Sequence, residues 1–118
     1  SGGERQRVWI AMALAQKSEI LCLDEPTTYL DIYYQLELLE LVKELNDKHR
    51  LTIVMVLHDI NQAIRYSNHV ILMKSGQIVA EGTPREVITK EVIKDVYGVN
   101  AVFHEDEQLG LYMMPLSI

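Results

Sequence analysis

The sequence predicts an α/β fold built on a sheet that is parallel at its centre. Two short apolar runs, residues 20–23 of "EILCLDEP" and the branched run of "LTIVMVLHDI", read as strands buried on both faces. They alternate with stretches of helical periodicity, and that alternation is what a parallel sheet requires. With 118 residues, 48% hydrophobic and 24% charged, the chain suits one compact domain.

Taken in order, the first element is a helix over 1–17, where Trp9, Met12, Ala13 and Gln16 hold a helical spacing supported by Ile10 and Leu14. Its first turn contains Gly2 and Gly3, and glycine costs about 1 kcal/mol relative to alanine inside a helix. A bare backbone there suits helix amides that must approach an anion. Ser1 and Glu4 also have capping-box spacing, which accounts for them but not for the glycines. On this stretch alone, capping and anion contact both stand open.

The strand at 20–23 ends in Asp24, Glu25 and Pro26. "DIYYQLELLELVKELNDKHR" follows as a helix capped by Asp31, with Ile32, Leu36, Leu39, Val42 and Leu45 as its apolar stripe and Leu38 and Leu41 widening it. The second strand is expected to run to His58, and a short helix to follow Asp59. "HVILMKSGQIVAEGTP" reads as a hairpin turning at Ser75-Gly76. Thr83, Pro84 and Glu86 combine an N-cap, a first-turn proline and a capping-box glutamate, so a helix begins there. Another covers Lys90 to Tyr97. The tail from Asn100 is expected to be irregular, with "HEDEQ" a solvated loop and one short strand near 111–114.

A net charge of −6 argues against a surface devoted to nucleic acid. One cysteine, Cys22, supports neither a disulfide framework nor a cysteine metal site. No apolar stretch approaches the roughly 20 residues of a membrane span, and no signal peptide is visible, so a cytoplasmic chain is expected. It begins without methionine and inside a motif, and is expected to be part of something longer.

In parallel sheets, ligands bind beyond the carboxyl ends of the strands. Asp24 and Glu25 close the first strand and His58 the second, so three polar residues fall on one edge. Phosphoryl transfer asks a protein for positioned charge, a magnesium ion and an oriented nucleophile. In that chemistry Asp24 assists magnesium, directly or through water, Glu25 orients or deprotonates the attacking water, and His58 bonds the terminal phosphate. The bland alternative for Asp24-Glu25-Pro26 is a simple cap, and His49, His69 and His104 read as structural or exposed. Trp9, Tyr33 and Tyr34 read as core or surface contacts.

"SGGERQR", "ILCLDEPTTYLD", "VLHD" and "NHVILMKSGQIVAEGTP", in this order and spacing, resemble the ATP-binding cassette (ABC) ATPases. The resemblance implies a partial P-loop NTPase (RecA-like) core: a signature helix over 1–17, a Walker B to switch-histidine core over 18–74, and a C-terminal hairpin, helices and tail over 75–118. Ser1, Gly2, Gly3 and Glu4 match the signature motif, which contacts ATP on the opposite subunit; Glu4 stands where glutamine is commoner, and Arg7 matches a basic position of that helix. Residues 20–24 match the Walker B strand, Glu25 the catalytic carboxylate, and Tyr29, Leu30 and Asp31 the D-loop, with unusual first positions. His58 matches the switch histidine.

A phosphate-binding loop of the form GxxxxGK followed by Ser or Thr is absent from these residues. The resemblance therefore implies the C-terminal part of a nucleotide-binding subunit, using ATP and Mg2+ in the intact protein and inactive by itself. It implies a head-to-tail dimer with a second nucleotide-binding subunit, transmembrane permease subunits as partners, and a peripheral place on the cytoplasmic face of the membrane. The closest resemblance in type is to importers of iron–siderophore, haem or cobalamin. One alternative is a DNA-repair or chromosome-type cassette ATPase, against which stand the acidic charge and the lack of sustained heptads; another is a structural or regulatory domain that has lost catalysis, against which stand Asp24, Glu25 and His58.

Overall fold

A computed structural model of the chain describes residues 19–118. They fall into two compact units that meet in the sequence between His58 and Asp59. The expected first helix, with Trp9 and the candidate residues Ser1, Gly2, Gly3 and Glu4, lies outside the described residues.

The first unit is a β-α-β arrangement: β1 (Ile20–Asp24), α1 (Ile32–His49) and β2 (Thr52–Val56). The two strands pair in parallel with Leu21 opposite Ile53 and Leu23 opposite Met55. Those four side chains face Leu38, Val42 and Leu45 of α1, three positions on one helical face, and Leu51 completes the core. Asp31 caps α1 as expected, its Oδ1 accepting from Tyr34 N–H at 3.2 Å.

Three expectations fail here. Among the described residues only one face of these strands is covered: Ile20, Cys22, Val54 and Val56 are exposed, because helix α1 packs on the other face and side chains alternate across a strand. The second strand also stops at Val56, two residues before His58. In α1 the buried residues are Leu38, Leu39, Val42 and Leu45, whereas Ile32 and Leu36 at the head of the expected stripe are exposed.

The second unit runs α2 (Ile60–Tyr66), β3 (Val70–Lys74), β4 (Gln77–Gly82), α3 (Pro84–Val87), α4 (Lys90–Tyr97), β5 (Asn100–Asp106) and β6 (Gly110–Ser117). Ser75 and Gly76 turn the β3–β4 hairpin with φ of 52° and 77°, the double left-handed step of a type I′ turn. Thr83 and Glu86 form the expected capping box on α3. Helix α4 starts at a Thr89 cap and ends at Gly98, whose φ of 69° is a left-handed helix stop. Val70, Leu72, Val87, Ile88, Ile93 and Ala101 make the core.

The tail departs most from expectation. It is an antiparallel hairpin, β5 on β6, rather than irregular chain. Much of "HEDEQ" is strand: His104 sits opposite Tyr112 and stacks on it at 5.5 Å. The turn is tied by Asp106, whose Oδ1 accepts from the N–H groups of Gln108 (2.8 Å) and Leu109 (2.9 Å). Those bonds hold the Asp106 carboxyl below the usual carboxylate range. Pro115 hides β6 from a pattern reading, since proline is excluded from central strands. Here it lies beside a register shift between Asn100 and Ala101, where a missing N–H is tolerated.

Candidate functional site at the strand ends

Parallel pairing in register places Asp24 opposite Val56, so both strands of the first unit release their chains at the same edge. The ladder continues one step further, with Glu25 N–H donating to Val56 O at 3.1 Å. Glu25 then leaves the strand with φ of 50°. A left-handed conformation at a residue with a side chain costs roughly 1–2 kcal/mol. Two overlapping turns follow, Thr28 N–H to Glu25 O and Leu30 N–H to Thr27 O, both at 3.2 Å. Tyr29 is a second left-handed residue at φ 70°, with its ring fully in solvent. Gln35 Nε2 secures the loop from α1 by donating to Leu30 O at 2.8 Å.

This loop carries the Glu25 carboxylate to His58. Glu25 Oε1 and His58 Nε2 are in direct hydrogen-bond contact across 33 residues of sequence. An ionised carboxylate only accepts, so Nε2 is the donor of that bond. The His58 side chain is largely exposed and that of Glu25 about two fifths exposed, as a site that must admit a substrate requires. Asp24 is the last residue of β1 and is exposed; among the described residues no hydrogen bond engages its carboxylate. Asp31 is committed to the cap of α1 at the far end of the same loop.

Asp24, Glu25 and His58 thus fall at one strand edge, and the structure joins two of them directly. Sequence spacing put Glu25 and His58 on one edge without indicating that they touch. The left-handed backbone at Glu25 had no local signal, since neither glycine nor asparagine marks it.

Among the described residues, no group of three or more His, Cys, Asp or Glu side chains is arranged to hold a metal ion. The Asp24 carboxylate, with no partner among the described residues, suits a hard cation that takes oxygen ligands and keeps most of its shell from phosphates and water. No helix among the described residues is long and apolar enough to cross a membrane.

Comparison with known proteins bears on the same segments. The profile of a family described as "ABC transporter" matches residues 1–28. The ferric enterobactin transport ATP-binding protein of Escherichia coli (strain K12) is 52% identical over 110 residues, covering 93% of this chain and 41% of that protein. The chain spans about two fifths of the length of the curated relatives it matches. A metal-chelate-type ABC transporter in an inward-facing conformation superposes with a TM-score of 0.88 at 28% identity, covering 98% of this chain and 48% of that one. A dimeric ATP-binding cassette in a post-hydrolysis state, bound to ADP and Pi, superposes with a TM-score of 0.61 at 41% identity, covering 72% of this chain and 36% of that one.

Proposed function

We propose that this chain, which belongs to the ABC transporter ATPase family, supplies the hydrolytic edge of an ATPase subunit that drives import of an iron chelate. The observation that carries the reading is the Glu25–His58 contact at the ends of two parallel strands, next in sequence to the carboxylate of Asp24.

In this reading Asp24 would hold magnesium, directly or through water, and the charge neutralisation that such an ion supplies would ease attack on the phosphates. Glu25 accepts a proton from a water whose oxygen bonds to the γ-phosphorus. The bond from that phosphorus to the bridging oxygen breaks, leaving ADP and inorganic phosphate. His58 aims the carboxylate through its Nε2–H bond to Oε1, which leaves Oε2 for the water. One N–H serves one strong acceptor at a time, so His58 reaches the terminal phosphate by leaving Glu25. The strained backbone at Glu25 keeps the carboxylate facing that exchange.

The partner assignments rest on the motif resemblance, and a dimeric cassette among the superposed structures supports a second subunit. Ser1, Gly2, Gly3 and Glu4 meet the ATP of a second nucleotide-binding subunit in a head-to-tail dimer, and Asp31 with its loop lines that contact. Permease subunits receive the conformational work at the cytoplasmic face of the membrane, where this subunit is peripheral. Iron chelates are favoured as cargo because the E. coli relative is named for ferric enterobactin and the superposed transporter is of metal-chelate type.

The test is Glu25→Gln in the intact subunit, with its phosphate-binding loop. Turnover is expected to fall at least about 100-fold, the contribution of a positioned general base, with Mg-ATP affinity at the parental value. Turnover close to the parent's would remove Glu25 from the reaction.

A further inference from the structure

The loop from Glu25 to Leu30 holds two left-handed residues that are not glycine, with φ of 50° at Glu25 and 70° at Tyr29. Such conformations last only where the surroundings over-determine them. Behind Glu25 the support is firm, since its N–H donates to Val56 O at 3.1 Å and extends the β1–β2 ladder. In front, Tyr29 leaves its ring in solvent and Leu30 is only half-buried against the first core. The Leu30 carbonyl is held there by a side chain: Gln35 Nε2 donates to it at 2.8 Å. Gln35 belongs to α1, which Leu38, Val42 and Leu45 fix in the core.

From Gln35 the hydrogen bonds lead back to the candidate carboxylate. Leu30 N–H donates to Thr27 O, and Thr28 N–H donates to Glu25 O, both at 3.2 Å. All of these residues, with His58, lie in the first unit. We infer that Gln35 is a positioning residue for the Glu25 carboxylate, acting through the Leu30 carbonyl and the two turns behind it. This rests on the hydrolytic reading of the Glu25–His58 pair. Without the clamp the loop relaxes its left-handed residues towards ordinary φ values, and rotation at Glu25 turns its side chain away from His58. Near the other end of α1, Asn46 makes a bond of the same kind, its Nδ2 donating to Leu51 O at 2.9 Å. Leu51 precedes the first residue of β2, so that bond lies at the opposite edge of the sheet from Glu25.

The test compares Gln35→Met, Asn46→Ala and Glu25→Gln in the full-length subunit with Mg-ATP. Methionine keeps the length and helix propensity of glutamine but cannot donate to the Leu30 carbonyl. Asn46→Ala removes a bond of the same kind from the same helix, so it reports what loss of stability in the first unit does by itself. Gln35→Met is expected to lower kcat about tenfold to 100-fold, the scale on which a misplacement of about 1 Å acts, with KM unchanged. The ring-nitrogen NMR signals of His58, whose Nε2 bonds Glu25 Oε1, should move in that variant and keep their parental positions in Asn46→Ala. Parental kcat in Gln35→Met, with Glu25→Gln inactive, overturns the inference and leaves the hydrolytic reading intact. An equal loss of kcat in Asn46→Ala overturns it as well, since the effect is then one of stability. So do unmoved His58 signals in Gln35→Met, because Glu25 then keeps its place. Parental turnover in Glu25→Gln overturns the hydrolytic reading and this inference together.

Discussion

Left-handed backbone is handled in opposite ways by the two units. Among the described residues of the first, positive φ falls on Glu25, Tyr29 and Arg50, none of them glycine. In the second it falls on Gly76, Gly82, Gly98 and Gly110, with Ser75 the exception. Glycine adopts this conformation freely, so the second unit follows the inexpensive route at its turns and helix stop. The first unit carries strain at Glu25 and Tyr29, where its candidate chemistry sits, and a glycine at position 25 would have no carboxylate to give His58. Backbone strain concentrated at a site whose side chain cannot be surrendered is what function, rather than stability, leaves behind.

That contrast can be broken or sharpened by measurement. The largest effect outside the site is expected from Ile93→Ala, which empties the centre of the second core, where Ile93 is 1% exposed. A loss of about 2–5 kcal/mol is expected for such a truncation, read by denaturant unfolding. A loss below the range of exposed substitutions would mean that the second unit is not held by this core.

The next pair has opposite signs. Gly98→Ala should destabilise by about 1 kcal/mol, because an added Cβ meets no atom within 4 Å and the penalty is that of the left-handed backbone alone. Arg50→Gly should stabilise by about 1 kcal/mol, since Arg50 ends α1 at φ 53°, where glycine is the favoured stop. Changes of the same sign in thermal midpoint would show that these φ values do not govern the two helix ends.

The smallest effect is a pH dependence in the second unit. Bonds from the backbone N–H and side chain of Thr83 lower the pKa of Glu86. A depressed carboxyl stabilises the fold above its unfolded pKa and loses that contribution as pH falls through the folded value. Glu86→Gln should therefore flatten the acid side of the stability curve below about pH 4.5. An unchanged acid limb would show that the capping box contributes nothing there.

Residues within four places of each other were legible from the chain alone. The Asp31 and Asp59 caps, the Ser75-Gly76 turn, the Thr83–Glu86 box and the span of α4 all follow from side chains meeting nearby backbone, which any fold containing them would keep. The family, too, was legible in short motifs set in order. What only the tertiary structure decided lies between residues far apart. The contact of Glu25 with His58, the one-sided burial of β1 and β2, the β5–β6 hairpin with Pro115 at its register shift, and the grip of Asn61 on Met113 are all of this kind. Each depends on closing a long loop into one register, and no local hydrogen bond or propensity specifies which distant residue will arrive.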